Sequence, residues 1–235
     1  NYRTATVNDV NVATAGKNIS AITLEDNGAV LASNYDLPTL NVANAPATIQ
    51  AKTVSLSASK VYDATTDLSG SVTLSTGVGS ETLTYSGATS NDLNVATANK
   101  YISAITLADA TDGSGGVASN YQLPSLDHAN APVTITRKAL TLSGLSSTDK
   151  VYDASDDATI SSYGSLSGIL FSDDVSLNTG SLGADVANFS NEDVAVDGSG
   201  NEVVKTVTLT LTNSDLTGTA AGNYSITDQT SGDSN

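Results

Sequence analysis

Along most of the chain, apolar residues alternate with serine and threonine. The runs TVSLSAS, SVTLST, ETLTYSG, VTITRK, ALTLSG and KTVTLTLT place an apolar side chain at every second position. That is the period of a half-buried strand, whose other face turns hydroxyls to water. Between these runs lie EDNGA, TDGSGG and DGSGN, residue clusters that favour turns. No stretch of ten residues carries a 3.6-residue period, and SNDLNVA and SNEDVA have room for one helical turn each. The pattern predicts an all-β chain in two layers, because a sheet with one apolar face must bury it against another. The expected architecture is a series of tandem β-sandwich modules, immunoglobulin-like, in an elongated array. Modules resembling a β-grasp, a sheet with one short helix, are the alternative.

The alternation is itself repeated. NDVNVATAGKNISAITL (8–24) returns as NDLNVATANKYISAITL (91–107), and ASNYDLPTLNVANAPATI (32–49) returns as ASNYQLPSLDHANAPVTI (118–135). The offset grows from 83 to 86 residues, which places a three-residue insertion in ADATDGSGGV. A more divergent third copy carries SNEDVAV, KTVTLTL and AGNYSI. The expected modules are 1–52, the C-terminal part of an incomplete repeat; 53–138, a complete repeat; and 139–235, a repeat lacking its last strand.

All seven lysines fall into three recurring positions: Lys17, Lys100 and Lys205; Lys52 and Lys138; Lys60 and Lys150. Seven of nine tyrosines do the same: Tyr2 and Tyr85; Tyr35, Tyr121 and Tyr224; Tyr62 and Tyr152. Such reuse points to packing rather than to a ligand. Tyr62 and Tyr152, both in a KVYDA motif, are expected to pack alike, ring buried and hydroxyl hydrogen-bonded. Each lysine is expected to lay its stem along an apolar face and end near a carboxylate.

At the repeat junctions the buried parity changes. Val133 and Ile135 are odd, Leu140 and Leu142 even, with the switch at Arg137-Lys138; Ile49 gives way to Val54 and Leu56 across Ala51-Lys52. One extended segment therefore ends one module and begins the next while exchanging its buried face. No Gly/Ser linker intervenes, so the join is expected to be short and stiff.

Composition narrows the function classes. Nine basic against 25 acidic residues give a net charge of −16, which repels phosphate and anionic lipid, so nucleic acid is not an expected partner. Leu, Ile, Val and Phe make up 53 of 235 residues, just above the level of about 20% below which chains stay disordered. With no cysteine there is neither a disulfide framework nor thiol chemistry. No apolar run of about 18 residues occurs, so this segment is not expected to insert in a membrane. The opening NYRTATVNDV lacks the features of a signal peptide, and the chain reads as a segment whose export signal, if any, lies elsewhere.

The ordered motifs Lys150-Val151-Tyr152-Asp153, Asp173-Asp174-Val175 and Ala221-Gly222-Asn223-Tyr224 carry a family likeness. Lys60-Val61-Tyr62-Asp63 and Ser119-Asn120-Tyr121 repeat it in the middle copy. Together they resemble the YDG-type repeat of large bacterial surface adhesins, including filamentous-haemagglutinin-like and biofilm adhesins. Ala64 and Ala154 stand where the family name places Gly after Asp. The resemblance implies an extracellular, bacterial cell-surface location and a secreted protein engaged in cell adhesion.

Candidate chemistry is sparse. His128 is the only histidine, and Val42 takes its place in the first copy; catalysis would need an oriented nucleophile and a third group beside it. Asp156-Asp157 and Asp173-Asp174 are adjacent acids, which on a strand point to opposite faces and read as turn carboxylates. Calcium would find hard oxygen ligands at Asp109 and Asp112, and at Glu192, Asp193, Asp197, Asn201 and Glu202. Neither loop has EF-hand or nonapeptide spacing, so no metal site and no cofactor are expected. An internal lysine amide cross-link needs a neighbouring acid to shuttle protons, and the four Glu (Glu25, Glu81, Glu192, Glu202) do not recur in register. A sugar platform would have to come from Tyr2, Tyr85, Tyr101 or Tyr163. The expected function is a structural stalk or spacer that supports adhesion or biofilm formation, with neighbouring repeats as the principal partners. The alternative is that the repeats themselves bind a glycan or a host or matrix protein. Enzymatic activity is not expected.

Overall fold

The computed structural model describes residues 1–183 and 186–232. Among these the chain is all-β, as the alternation predicts: short strands in many small sheets, joined by turns and five single 3₁₀ turns, with no α-helix. The contacts divide it into two compact units. One holds Asn1–Ala58, Val72–Thr89 and Tyr101–Pro132; the other holds Ser59–Ser71, Ser90–Lys100 and Val133–Asn235.

In the first unit, strand Tyr2–Val7 pairs antiparallel with Ile19–Leu24. Residues of strand Ser55–Val61 pair antiparallel with Val72–Ser75, from Ser55 opposite Ser75 to Ala58 opposite Val72. The core is small: Val54, Leu56, Ala58, Leu83, Ala88, Ile102, Ile105, Tyr121 and Ala131. Among the described residues no apolar side chain from 1–52 is buried; that stretch contributes only the stem of Lys17.

In the second unit, strand Thr206–Leu209 lies between Ala187–Phe189 and Gln229–Gly232, antiparallel to both. Val207 and Leu209 alternate inward and are fully buried, and Leu140, Leu216, Tyr224 and Ile226 of the same unit are buried as well. The alternation read from KTVTLTL therefore fixes which face meets the core.

Most junction residues behave as their parity predicts, though Leu142 and Ile49 are only half-buried. Val133 and Ile135 are buried, and Leu140 is buried after the switch. At the switch the chain makes a two-residue parallel pairing: Lys138–Ala139 with Tyr224–Ser225, and at the earlier junction Lys52–Thr53 with Tyr121–Gln122. Leu140 N–H then donates to Ser225 O (2.8 Å), as Val54 N–H does to Gln122 O (3.0 Å). The same register in both places is the repeat seen in three dimensions.

The helical turns do not fall at SNDLNVA or SNEDVA. They occur at Ala32–Asn34, Ala118–Asn120 and Ala221–Asn223, with two more at Thr179–Ser181 and Asn213–Asp215. The reason is local. Asp92 Oδ1 accepts the Asn94 N–H (2.6 Å), an Asx turn that competes with helix. A lysine then takes up the loop carbonyls that a helix would bond internally.

Candidate functional site

Three loops are built around a lysine. Lys100, whose side chain is buried, donates to the carbonyls of Asn94 (2.9 Å), Val95 (2.9 Å) and Thr97 (2.5 Å). Lys17 donates to Val12 O (2.9 Å) and to Thr14 O. Lys205 donates to Asp193 O (2.6 Å), to Asn191 Oδ1 (2.8 Å) and to Asn191 O. An ammonium taken from water needs its donors satisfied, and here loop carbonyls serve, with the Asn191 side-chain oxygen as one acceptor of Lys205. These three lysines thus end on carbonyls rather than on the carboxylates expected for them. Lys60 and Lys150 do reach a carboxylate, Asp63 (2.7 Å) and Asp153 (2.9 Å). They also close their own turns through the carbonyls of Thr65 and Asp67, and of Ser155 and Asp157.

Against such a loop sits an Asn-Tyr turn from the next repeat. Asn223 Oδ1 accepts the Val95 N–H (2.8 Å), and its Nδ2 donates to Asn94 Oδ1 (3.0 Å). Asn120 does the same one repeat earlier, accepting from Val12 N–H (2.7 Å) and donating to Asn11 Oδ1 (3.0 Å). In each case the 3₁₀ turn is closed by the following tyrosine N–H bonding back to the alanine carbonyl. The side-chain amide uses both its donor and its acceptor, so it reads the loop as a complementary pair. The first joint lies within the first unit, and the second within the second unit.

The tyrosines complete the joints. Tyr224 is fully buried, its hydroxyl donating to Asp173 Oδ2 (2.7 Å) and accepting from Leu170 N–H (3.0 Å). Tyr62, 4% exposed, comes from the middle repeat and donates to the same oxygen (3.0 Å). Its ring meets that of Tyr224 edge to face. Burial, then the bond to Asp173, raises the pKa of both hydroxyls, that of Tyr224 to about 12. In the earlier joint Tyr121 donates to Glu81 Oε2 (2.6 Å), and burial with that contact raises its pKa too.

Tyr152 corrects the expectation that the two KVYDA tyrosines pack alike. It is 59% exposed, whereas Tyr62 is covered by the Asn223-Tyr224 turn. It stands at a cavity of about 540 Å³ with Lys150, Phe189, Asp193, Val194 and Lys205. At the other end Asn34 and Tyr35 form the same closed turn, yet both are exposed, Tyr35 by 61%.

The remaining candidates are scattered. His128 is exposed on a turn held by Asp127, which accepts the N–H groups of Ala129 and Asn130. Asp112 accepts from Thr82 Oγ1 (2.7 Å) and from the Ser114 N–H (3.0 Å), contacts that lower its pKa to about 2. Asp109 accepts the Ala118 N–H, and Asp197 accepts those of Ser199 and Asn201. Glu192 and Glu202 line the Tyr152 cavity. Among the described residues no three His, Asp or Glu side chains converge to hold a metal ion. Asp157 closes its own turn through Ser155 Oγ (2.6 Å), while Asp156 lends its carbonyl to the Phe189 N–H. Asp173 and Asp174 do diverge: Asp174 Oδ2 accepts the Thr219 N–H (3.0 Å) while Asp173 joins the two tyrosines. Asp173 is therefore half-buried at a joint, not only a turn carboxylate. Tyr85 accepts the Val72 N–H, Tyr163 borders a second cavity, and Tyr2 is exposed.

The sequence reading missed the amide–loop pairing. Its signal was present: Asn11 with Val12, Asn94 with Val95, and an Asn before Tyr35, Tyr121 and Tyr224. Nothing in a single sequence says that the two motifs meet.

Comparison with protein families finds a YDG domain at residues 136–231. No curated protein matches the chain, and no solved structure does.

Proposed function

We propose that these repeats are structural: stalk or spacer modules of an exported bacterial cell-surface adhesin, supporting cell adhesion or biofilm formation. The recurring joint carries the reading. Asn120 and Asn223 each hold the preceding repeat through the same two side-chain hydrogen bonds. Buried polar pairs of this kind fix one geometry, because a misregistered repeat would leave an amide and a backbone N–H unpaired. Five of the recurring lysines hold loops and turns, and Tyr62, Tyr121 and Tyr224 are engaged in joints, which supports a mechanical role over ligand binding or catalysis. Pulling the chain between its ends by single-molecule force spectroscopy is the direct test, paired with a glycan and matrix-protein binding screen. A spacer gives reproducible unfolding steps and no saturable binding. Saturable binding that survives disruption of the joints would replace this reading with that of a binding module.

A further inference from the structure

We propose that Phe171 is a docking finger, and that it enters the apolar groove lined by Leu166 and Leu177 of a second copy of this chain. The inference is independent of the stalk reading. Phe171 is the second residue of a turn closed by the Asp173 N–H on Leu170 O (3.0 Å). Its φ is +49° and it is 84% exposed. A bulky residue in that region is an outlier that costs stability, and an exposed ring recovers none of the cost by packing. The middle repeat builds the same turn without it. Glu81 N–H bonds to Val78 O (3.0 Å), and the second position is Gly79, at φ +46°. There too the turn faces open space, since a Cβ added at Gly79 would meet nothing within 4 Å. The turn is therefore outward-facing even in the repeat with a neighbour on either side, and the third repeat arms it with a ring. Its base is fixed, because Leu170 N–H bonds to the Tyr224 hydroxyl and Asp173 Oδ2 accepts from both tyrosines.

The groove arises from a second difference between the repeats. Leu142 pairs with Leu166 as Leu56 pairs with Leu74, so Gly164 stands where the middle repeat has Val72. Counting on from Asp173 and Glu81, Leu177 stands where it has Tyr85. The Tyr85 hydroxyl accepts the Val72 N–H (3.2 Å), so its ring spans the space between those two strands. In the third repeat that ring is gone. An open cavity of about 310 Å³ lies among Leu142, Gly164, Leu166, Ile169, Val175 and Leu177. An aliphatic cavity of about 150 Å³ already admits a benzene ring. All of these residues, with Phe171, belong to one compact unit. Ile169 lines the cavity and Phe171 follows shortly after it, so finger and groove share one patch. A patch that carries both halves is complementary to itself, and two copies close it around a twofold axis, each finger in the other's groove. The contact is small and sets Asp173-Asp174 of two chains, each of net charge −16, near one another. It is accordingly weak, and it tightens as salt screens the repulsion.

The test is sedimentation velocity of the full chain over a rising concentration series at low and moderate salt. The average mass should climb from that of one chain towards that of two, more so with salt. Phe171→Gly should stay monomeric across the series and melt no lower than the parent, because Gly79 holds the same turn. Leu177→Tyr returns the middle repeat's ring to the groove and should abolish the dimer likewise. Phe171→Trp gives the chain its only tryptophan, whose emission should shift to the blue as concentration rises. Adding Leu177→Tyr to that variant should remove the shift. A parent chain that stays monomeric throughout overturns the proposal, and so does association that persists in Phe171→Gly or Leu177→Tyr. An emission shift induced in a monomeric chain by a glycan or a matrix protein would assign the finger to a foreign partner and overturn it as well.

Discussion

The rings of Tyr62 and Tyr224 meet edge to face, their centroids 5.5 Å apart and their planes at 75°. One residue belongs to the middle repeat and the other to the third, so the contact exists only where two repeats join. Pairs in this arrangement contribute about 0.5–1.5 kcal/mol beyond the area they bury. Both hydroxyls reach Asp173 Oδ2, which removes the unpaired polar atom that a buried tyrosine would otherwise carry.

Truncation should separate the two KVYDA motifs. Tyr62→Ala is expected to cost roughly 3–5 kcal/mol, the range for deleting a large buried aromatic. Tyr152→Ala, at an exposed position, should stay within about 0.5 kcal/mol. Urea melts of the two variants beside the parent decide it. Equal losses would mean that Tyr152 has a buried role, and that the joint does not explain the burial of Tyr62.

The amide at the joint gives a second contrast. Asn223→Ala leaves the Val95 N–H without its acceptor, a loss of roughly 1–3 kcal/mol for a buried group. Asn223→Asp keeps the acceptor but sets a carboxylate against Asn94 Oδ1, and should be at least as harmful. Asn34→Ala removes an exposed amide and should leave the melting temperature of the dilute chain unchanged. Thermal melts of the three variants at one concentration provide the comparison.

Much of this was legible in the sequence, and the part that was not has a physical reason. Two-residue alternation gave the strands and their buried faces, down to the parity change around Lys138. Recurrence marked Lys100 and Tyr62 as structural. Their partners stayed hidden because a joint couples motifs from different repeats, and alternation and recurrence speak only of neighbours or equivalents. Tyr152 was misjudged for the same reason. Equivalent positions share a conformation, but burial depends on what docks against them.

Backbone conformation yields a stabilising prediction. Ala64 has φ +60° and Ala154 φ +64°, the left-handed region in which a Cβ costs roughly 1–2 kcal/mol. Ala64→Gly and Ala154→Gly relieve that strain and give back part of the gain through the freer unfolded chain. A net gain of roughly 0.5–1 kcal/mol each is expected, additive because the turns are separate. Chemical denaturation of the single and double variants measures it; a loss at either site would refute the left-handed assignment there.

The tyrosines set an alkaline limit. In the folded chain the pKa of Tyr224 is raised to about 12, and those of Tyr62 and Tyr121 are raised as well; in an unfolded chain tyrosine ionises near 10. Between those values the folded state holds protons that the unfolded state has released. Stability is therefore fully present below pH 10 and falls as pH rises towards 12. Melting temperatures from pH 8 to 11.5 should show that decline, with phenolate absorbance arriving late for the buried rings. Tyr62→Phe should flatten part of the slope, and an unchanged slope would place the titrating groups elsewhere.

The first repeat should be the least protected against hydrogen exchange, but not uniformly so. Among the described residues no apolar side chain of 1–52 is buried, so strand Tyr2–Val7 has no core beneath it and its pairing with Ile19–Leu24 can open locally at little cost. Residues 233–235 of the tail lie outside the described residues. Within the first repeat the joint makes an exception. Val12 N–H donates to Asn120 Oδ1, just as Val95 N–H donates to Asn223 Oδ1. Exchange at Val12 therefore requires the joint to open, while exchange at Thr4 or Ala21 requires only fraying. Residue-resolved exchange at low concentration should show fast amides through both strands and slower ones at Val12 and Val95. Asn120→Ala should then speed Val12 selectively and leave Val95 unchanged. Equal protection across 1–52 in the dilute chain would mean that these strands have a core partner the joint does not supply.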